Sequence, residues 1–165
     1  MKNTLYCGDN LDILRKYIKD ESIDLIYIDP PFFSNRHYEV VWGDEAEVRS
    51  FEDRWEGGIN VYIEWMRPRI EELYRVLKPT GSFYLHCDWH ASHYLKVMLD
   101  EVFELRNFQN EIVWSYRTGG ISSKRWGRKH DVILFYSRRE VISMKYRWQT
   151  QRLTATQRRA IRVGG

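Results

Sequence analysis

Hydrophobic positions over the first 140 residues alternate between short continuous runs and helix-like stripes. The run Ile23–Ile28 (IDLIYI) is almost unbroken, which is typical of a parallel strand covered on both faces. Residues 10–19, 60–77 and 90–103 instead carry apolar side chains three or four positions apart, which predicts helices. Strands alternating with helices indicate an α/β fold.

The same pattern predicts four further strands, at residues 4–7, 82–86, 111–116 and 132–136, with the last two as an antiparallel pair. Pro68 predicts a kink or a late start in the second helix. Residues 33–58 are rich in charge and lack clear periodicity, so we expect no regular structure there. Two interpretations stay open for that segment: a lid that closes over a site on binding, or plain disorder.

Composition is that of a globular chain: 165 residues, 43% hydrophobic and 30% charged, enough for one domain. No apolar run approaches the roughly 18 residues of a membrane span, and the N-terminus lacks a signal pattern. Cys7 and Cys87 cannot form a disulfide framework, so we expect a cytoplasmic protein.

The net charge of +3 conceals a strong asymmetry along the chain. Residues 1–114 carry 13 Lys and Arg against 21 Asp and Glu, whereas residues 115–165 carry 13 against 2. No acid follows Glu140. A basic C-terminal third predicts a polyanionic partner met by one face, and a solvated tail is the alternative.

The sharpest motif is Asp29-Pro30-Pro31-Phe32, directly after the buried run. The end of a parallel strand is where α/β folds place ligands, and prolines fix the backbone while leaving its carbonyls free. A carboxylate and a fixed carbonyl can accept both hydrogens of an exocyclic amine, and an aromatic ring can stack on the base that carries it. The alternative is an acidic strand cap before a turn.

The chain resembles the S-adenosylmethionine-dependent DNA amino-methyltransferases, the family that methylates adenine N6 or cytosine N4. The resemblance extends over most of residues 5–139 and is carried by LYCGDNLDIL, IDLIYIDPPF, YRVLKPTGSFYLH, HYLKVMLDEVF, NEIVW and RKHDVILFYS. It implies a Rossmann-like methyltransferase sheet flanked by helices. The order of motifs, with DPPF near the N-terminus, is similar to a permuted branch of the family.

The resemblance also implies roles for individual residues. Asp29 and Pro30 would hold the target amine, Pro31 would complete the catalytic motif, and Phe32 would stack on the flipped base. Asp9 would lie near the adenine of the cofactor, which Asp29 also borders. An N-cap of the first helix is the alternative for Asp9, and both roles are compatible.

The implied reaction is methyl transfer from S-adenosylmethionine to a base in double-stranded DNA. The aspartate form of the motif favours adenine N6, with cytosine N4 as the alternative. Methylation of glutamine or of a small-molecule amine is disfavoured by the basic C-terminal third. A homodimer and a functional pairing with a restriction nuclease are further assemblies that the resemblance allows.

One family feature is missing, because no glycine-rich cofactor loop follows a strand and opens a helix in this chain. We therefore expect an incomplete sheet: residues 1–140 as the catalytic region, and 141–165 as a basic segment leading toward an absent target-recognition and cofactor-loop region. A truncated enzyme is the favoured interpretation, and a catalytically inactive DNA-binding remnant is the alternative.

Two other clusters carry candidate chemistry. A segment with three histidines, one cysteine and one aspartate at 86–93 has the ligand types for zinc but no paired spacing, so we predict no metal site. Nothing there marks Cys87 as a reactive thiol. A basic loop is predicted to contact DNA phosphates through Lys124, Arg125, Arg128, Lys129 and His130. A charged hairpin loop is the alternative.

Overall fold

The computed structural model describes residues 3–33, 37–42, 47–52, 55–116, 124 and 126–139, with 37–42 and 47–52 described by backbone alone. Helix α1 spans Asn10–Tyr17, α2 spans Ile59–Val76 and α3 spans Ser92–Phe103. A 3-10 turn at Leu105–Asn107 follows α3. Pro68 lies inside α2, which continues through it.

Four strands form the main sheet: β1 (Ile23–Ile28), β4 (Leu77–Cys87), β5 (Phe108–Ser115) and β6 (His130–Ser137). Their spatial order is β1-β4-β6-β5. β1 is parallel to β4, and the β4–β6 and β5–β6 pairs are antiparallel, which confirms the predicted pairing of the last two strands. The sheet is therefore mixed, with the predicted α/β architecture.

The hydrophobic core lies between the helices and one face of the sheet. Phe83, Leu85 and Cys87 alternate along β4, as period-2 geometry requires, and are fully buried. Leu95 and Leu99 of α3 are likewise fully buried. The opposite face carries Tyr84, whose ring stacks on Phe135 of β6 with centroids 4.6 Å apart, and His86 two positions further on.

Three predictions about strands are wrong. Residues 4–7 form no strand, and Leu5 is 96% exposed, because no neighbouring strand pairs with them in the part of the chain that the structure describes. β1 is not covered on both faces: Leu25 and Tyr27 are more than half exposed, since the described helices pack on the other face.

The third wrong prediction concerns residues 33–58, where regular structure does occur. Strands β2 (His37–Trp42) and β3 (Glu47–Glu52) pair as an antiparallel two-stranded sheet with His37 opposite Glu52. Aromatic and β-branched residues in both strands supply the β propensity that the high charge obscured. Whether this segment closes over a site stays a prediction.

Candidate active site

The carboxyl end of β1 opens directly into the DPPF motif. Because β1 and β4 are parallel and Ile28 pairs with Leu85, the next residues along, Asp29 and His86, lie side by side at one edge of the sheet. The Asp29 side chain is 58% exposed, so its carboxylate can meet a ligand from solvent. This is the edge where α/β folds bind their ligands.

A cleft of about 360 Å³ borders the motif on the helix side. Its walls include Asp29, Pro30 and Pro31 from the motif, together with Trp65 and Arg69 from α2. The volume falls in the range of small-molecule sites, and the lining combines aromatic surface with a few polar groups. Three of the four predicted catalytic residues thus line one cavity, whereas the Phe32 ring packs against His86.

A side chain of α2 holds the backbone of the motif in place. Tyr62, fully buried, donates a hydrogen bond from its hydroxyl to the carbonyl oxygen of Pro31 over 2.7 Å. The next residue but one, Phe33, has a φ of 61° and packs its ring against Tyr62 at 5.7 Å between centroids. A positive φ at a bulky residue is strained, so the buried tyrosine holds an otherwise unfavourable turn.

Asp9 caps α1, which confirms the capping alternative: its Oδ1 accepts from the backbone N–H of Leu11 at 2.8 Å. Its Oδ2 accepts from Nη2 of Arg69 at 2.7 Å. Burial of the carboxyl opposes ionisation, but the Leu11 N–H and Arg69 outweigh it, so the pKa of Asp9 is lowered. A cofactor contact by Asp9 stays a prediction.

Arg69 connects the cap to the cleft. Its guanidinium lies 3.9 Å from the ring centroid of Trp65 and donates to Asn10 Oδ1 and to the Trp65 carbonyl, both at 3.0 Å. The residue is 8% exposed and lines the cleft together with Asn10 and Trp65. Arg69 was not predicted from the sequence, although Tyr62, Trp65 and Arg69 follow one another at helical spacing on the face of α2 turned toward the motif.

His86 lies between two carboxylates. Its Nδ1 is 3.2 Å from Oδ1 of Asp29, and its Nε2 is 3.6 Å from Oδ2 of Asp131 at the start of β6. Phe32 meets the imidazole edge-on, with centroids 5.1 Å apart and planes at 79°. Sequence reasoning considered His86 only as a metal ligand.

The other members of the 86–93 cluster differ in their surroundings. His90 Nδ1 lies 2.7 Å from Asp88 Oδ2, and burial raises the pKa of the Cys87 thiol, with the Asp88 charge adding to it. No group of three or more metal-ligating side chains occurs among the residues the structure describes. The contact between His90 and Asp88 is thus local, and Cys87 belongs to the hydrophobic core.

Of the predicted DNA-contacting residues, Lys124, Arg128 and Lys129 lie between β5 and β6, and His130 is the first residue of β6. Arg128 lies with its guanidinium carbon 3.7 Å from the ring centroid of Trp89, which places this cation at the same sheet edge as Asp29. His130 is exposed. Arg125 lies outside the described residues, as does the basic segment 141–165.

None of the helices in the described part of the chain has the length and hydropathy of a membrane span.

Known proteins are similar to this chain in sequence and in fold. The N6_N4_Mtase model, described as DNA methylase, matches residues 23–163, which extends past residue 140. Type II methyltransferase M.KpnI of Klebsiella pneumoniae is 28% identical over 145 residues, covering 86% of this chain and 34% of that protein. DNA adenine methyltransferase YhdJ of Escherichia coli K12 is 29% identical over 132 residues, covering 79% and 40%.

A solved structure, PvuII DNA methyltransferase (cytosine-N4-specific), aligns with a TM-score of 0.54 at 20% identity, covering 82% of this chain and 49% of that one. At that identity the likeness shows a shared fold. The chain spans about a third to two fifths of the length of the two curated relatives.

Proposed function

Since this chain belongs to the N6/N4 DNA methylase family, we propose that it supplies the amine-binding part of a DNA methyltransferase that acts on N6 of a flipped adenine in double-stranded DNA. The observation that carries the proposal is the placement of Asp29-Pro30-Pro31-Phe32 at the carboxyl edge of β1, beside an open cleft. S-adenosylmethionine is the expected methyl donor of this family.

The target amine would be held by two acceptors and one ring. The Asp29 carboxylate and the Pro30 carbonyl accept its two hydrogens, and Phe32 stacks on the base. The Tyr62 hydrogen bond to Pro31 supports the choice of Pro30 as the acceptor. It turns the Pro31 carbonyl toward the core and leaves the Pro30 carbonyl for the amine. Directing both N–H groups at acceptors turns the nitrogen lone pair toward the methyl group.

The cleft suits a nucleoside-containing cofactor. Trp65 and Tyr27 offer aromatic surface, and Asn10 offers an amide donor and acceptor. Desolvation, and then the charge of Asp29, raise the pKa of Tyr27, so its phenol stays un-ionised as a hydrogen-bond donor at neutral pH. Bound S-adenosylmethionine supplies an electrophilic methyl carbon on a positively charged sulfur.

Methyl transfer needs little acid–base help from the protein. The amine nitrogen forms its bond to the methyl carbon as the carbon–sulfur bond breaks and that electron pair returns to sulfur. The nitrogen then loses one proton, for which the Asp29 carboxylate is the adjacent acceptor. Positioning and fixed dipoles therefore account for most of the proposed catalysis.

DNA would approach the same edge of the sheet. Arg128, held against Trp89, supplies a cation there for a backbone phosphate, with Lys124, Lys129, His130 and Arg125 as further predicted contacts. Such contacts add salt-dependent affinity without choosing a sequence. A homodimer, a partner restriction nuclease and the functional division at residue 140 stay predictions.

Cytosine N4 is the second candidate target, because its exocyclic amine presents the same two hydrogens to Asp29 and Pro30. One solved structure with a similar fold is described as cytosine-N4-specific. The aspartate at the head of the motif favours adenine by resemblance. The site itself serves either amine.

The test is methyl transfer from labelled S-adenosylmethionine to duplex DNA, followed by digestion to nucleosides and separation. We expect label in N6-methyldeoxyadenosine, and its loss in Asp29→Ala. Asp24→Ala is the matched control, since Asp24 lies on β1, the strand that leads into Asp29, and its carboxylate pairs with Lys78 at the exposed surface. Label in cytosine would overturn the adenine assignment. DNA retention without cofactor binding or transfer would indicate the remnant.

A further inference from the structure

Three strands bring one imidazole and two carboxylates together at the edge of the sheet. His86 is the penultimate residue of β4, Asp29 follows β1 on one side, and Asp131 is the second residue of β6 on the other. The His86 side chain is 20% exposed, as is that of Asp131, whereas that of Asp29 is 58% exposed. A half-buried ring thus contacts the one carboxylate that is open to a ligand.

An exposed aspartate needs such a contact in order to hold one orientation. Its carboxylate rotates about two side-chain bonds, and each freely rotating group costs free energy when a ligand immobilises it. A donor placed at Oδ1 fixes the plane of the group, so that Oδ2 points in one direction. His86 Nδ1 lies 3.2 Å from Oδ1, close enough to reach it as that donor.

The imidazole is itself restrained from two other directions. Phe32 packs edge-on against the ring, and Asp131 lies opposite the second nitrogen. Asp131 in turn accepts a hydrogen bond from the Tyr116 hydroxyl at 3.4 Å. The ring therefore has a defined orientation before any ligand arrives, as a positioning group requires.

We propose that His86 is the positioning residue for Asp29: its Nδ1–H donates to Oδ1 and leaves Oδ2 directed at the substrate amine, with Asp131 flanking the imidazole on the far side. This inference rests on the proposed function. It assigns to His86 a role through Asp29, with no contact to the base or to the methyl group.

Two substitutions test the two ring nitrogens of His86 separately. An asparagine amide reaches the position of Nδ1, beside Asp29, and a glutamine amide reaches the position of Nε2, beside Asp131. We expect His86→Ala and His86→Gln to lower kcat for methyl transfer by about 10- to 100-fold. We expect His86→Asn to stay within about threefold of the wild type, with the Kd for DNA unchanged in all three.

His93→Asn is the matched control, because His93 is exposed on α3 and belongs to no part of the proposed site. Melting temperatures establish that each variant folds. The positioning role is overturned if His86→Asn loses as much activity as His86→Ala, if His86→Gln is the variant that retains activity, or if kcat is unchanged in all three.

A second readout requires no turnover. In the protein labelled with ¹⁵N-histidine, we expect Asp29→Asn to shift the Nδ1 resonance of His86 more than its Nε2 resonance, and Asp131→Asn to do the reverse. The His93 resonances serve as the internal control. Absence of transfer by the wild-type enzyme that contains this chain overturns the proposed function. Transfer in the wild type with a His86 Nδ1 resonance unmoved by Asp29→Asn overturns the positioning role alone.

Discussion

The hydroxyl of Tyr62 donates a 2.7 Å hydrogen bond to the carbonyl oxygen of Pro31, joining the middle of α2 to the motif that follows β1. Proline has no N–H, so two consecutive prolines cannot be anchored through backbone donors. The carbonyl oxygen is then the only hydrogen-bonding group that the backbone of Pro31 offers. A fully buried side chain provides it.

We expect Tyr62→Phe to weaken both the fold and the site. The change leaves the Pro31 carbonyl without that donor in a half-buried position, which costs about 1–3 kcal/mol of unfolding free energy. The strained turn at Phe33 also loses its anchor, so kcat should fall more than substrate affinity. Urea unfolding and methyl-transfer kinetics measure the two effects.

The control for that variant is Tyr94→Phe, since Tyr94 is 53% exposed on α3. It removes the same hydroxyl from a position where water can replace its hydrogen bonds. Equal stability losses in the two variants would show that the contact to Pro31 contributes nothing.

The ion pair between Asp9 and Arg69 predicts a pH-dependent contribution to stability. Because the folded pKa of Asp9 lies below its ordinary value, the ionised form stabilises the fold, fully so above the unfolded pKa of about 4. That stability is lost as pH falls through the folded pKa. Asp9 is half exposed, so the amount is less than about 1 kcal/mol.

Asp9→Asn isolates this charge, because asparagine still caps a helix. We expect the variant to be less stable than the wild type at pH 7, and the difference to shrink as the pH falls below about 4. Denaturant unfolding at pH 7, 5 and 3 measures it. In an Arg69→Met background, Asp9→Asn should lower the free energy of unfolding at pH 7 by less than it does in the wild type. A loss of stability in Asp9→Asn that is as large at pH 3 as at pH 7 would contradict the electrostatic origin.

We predict a larger loss of stability when a side chain of the hydrophobic core is shortened. Leu99 of α3 is fully buried among Phe83, Phe103 and their neighbours, so Leu99→Ala should cost about 2–5 kcal/mol through lost burial and the cavity left behind. Leu105→Ala is the control, since Leu105 is 65% exposed. Thermal unfolding should separate the two variants clearly, and comparable melting temperatures would contradict the assigned core.

Local sequence was enough to locate the motif. The apolar run Ile23–Ile28 predicts a strand, Asp29 and two prolines must end it, and the chemistry of a carboxylate beside free carbonyls indicates an amine site. The capping role of Asp9 is equally local, because the Leu11 N–H that it accepts from lies two residues away. Such features depend on backbone geometry over a few residues.

The partners that complete the site could not be predicted from spacing. Tyr62 is 31 residues from Pro31, and His86 meets Asp29 and Asp131 only because three strands align at one edge. The register of a sheet and the packing of a helix on it decide such contacts, and neither leaves a local pattern. For the same reason, the exposure of Leu25 on β1 was not foreseen from an unbroken apolar run.

Arg128 stacks on Trp89, so two variants can distinguish the effect of its charge on DNA binding from the effect of its placement. Arg128→Ala should weaken DNA binding and reduce the slope of log K against log salt by about 1, the value for one lost phosphate contact. Trp89→Leu keeps the charge but releases the guanidinium, so it should weaken binding with the slope unchanged. Fluorescence anisotropy with duplex DNA at several salt concentrations measures both. Lys16→Ala, on the exposed side of α1, removes equal charge away from this edge; if it changed the slope as much as Arg128→Ala, net charge rather than a placed contact would explain the binding.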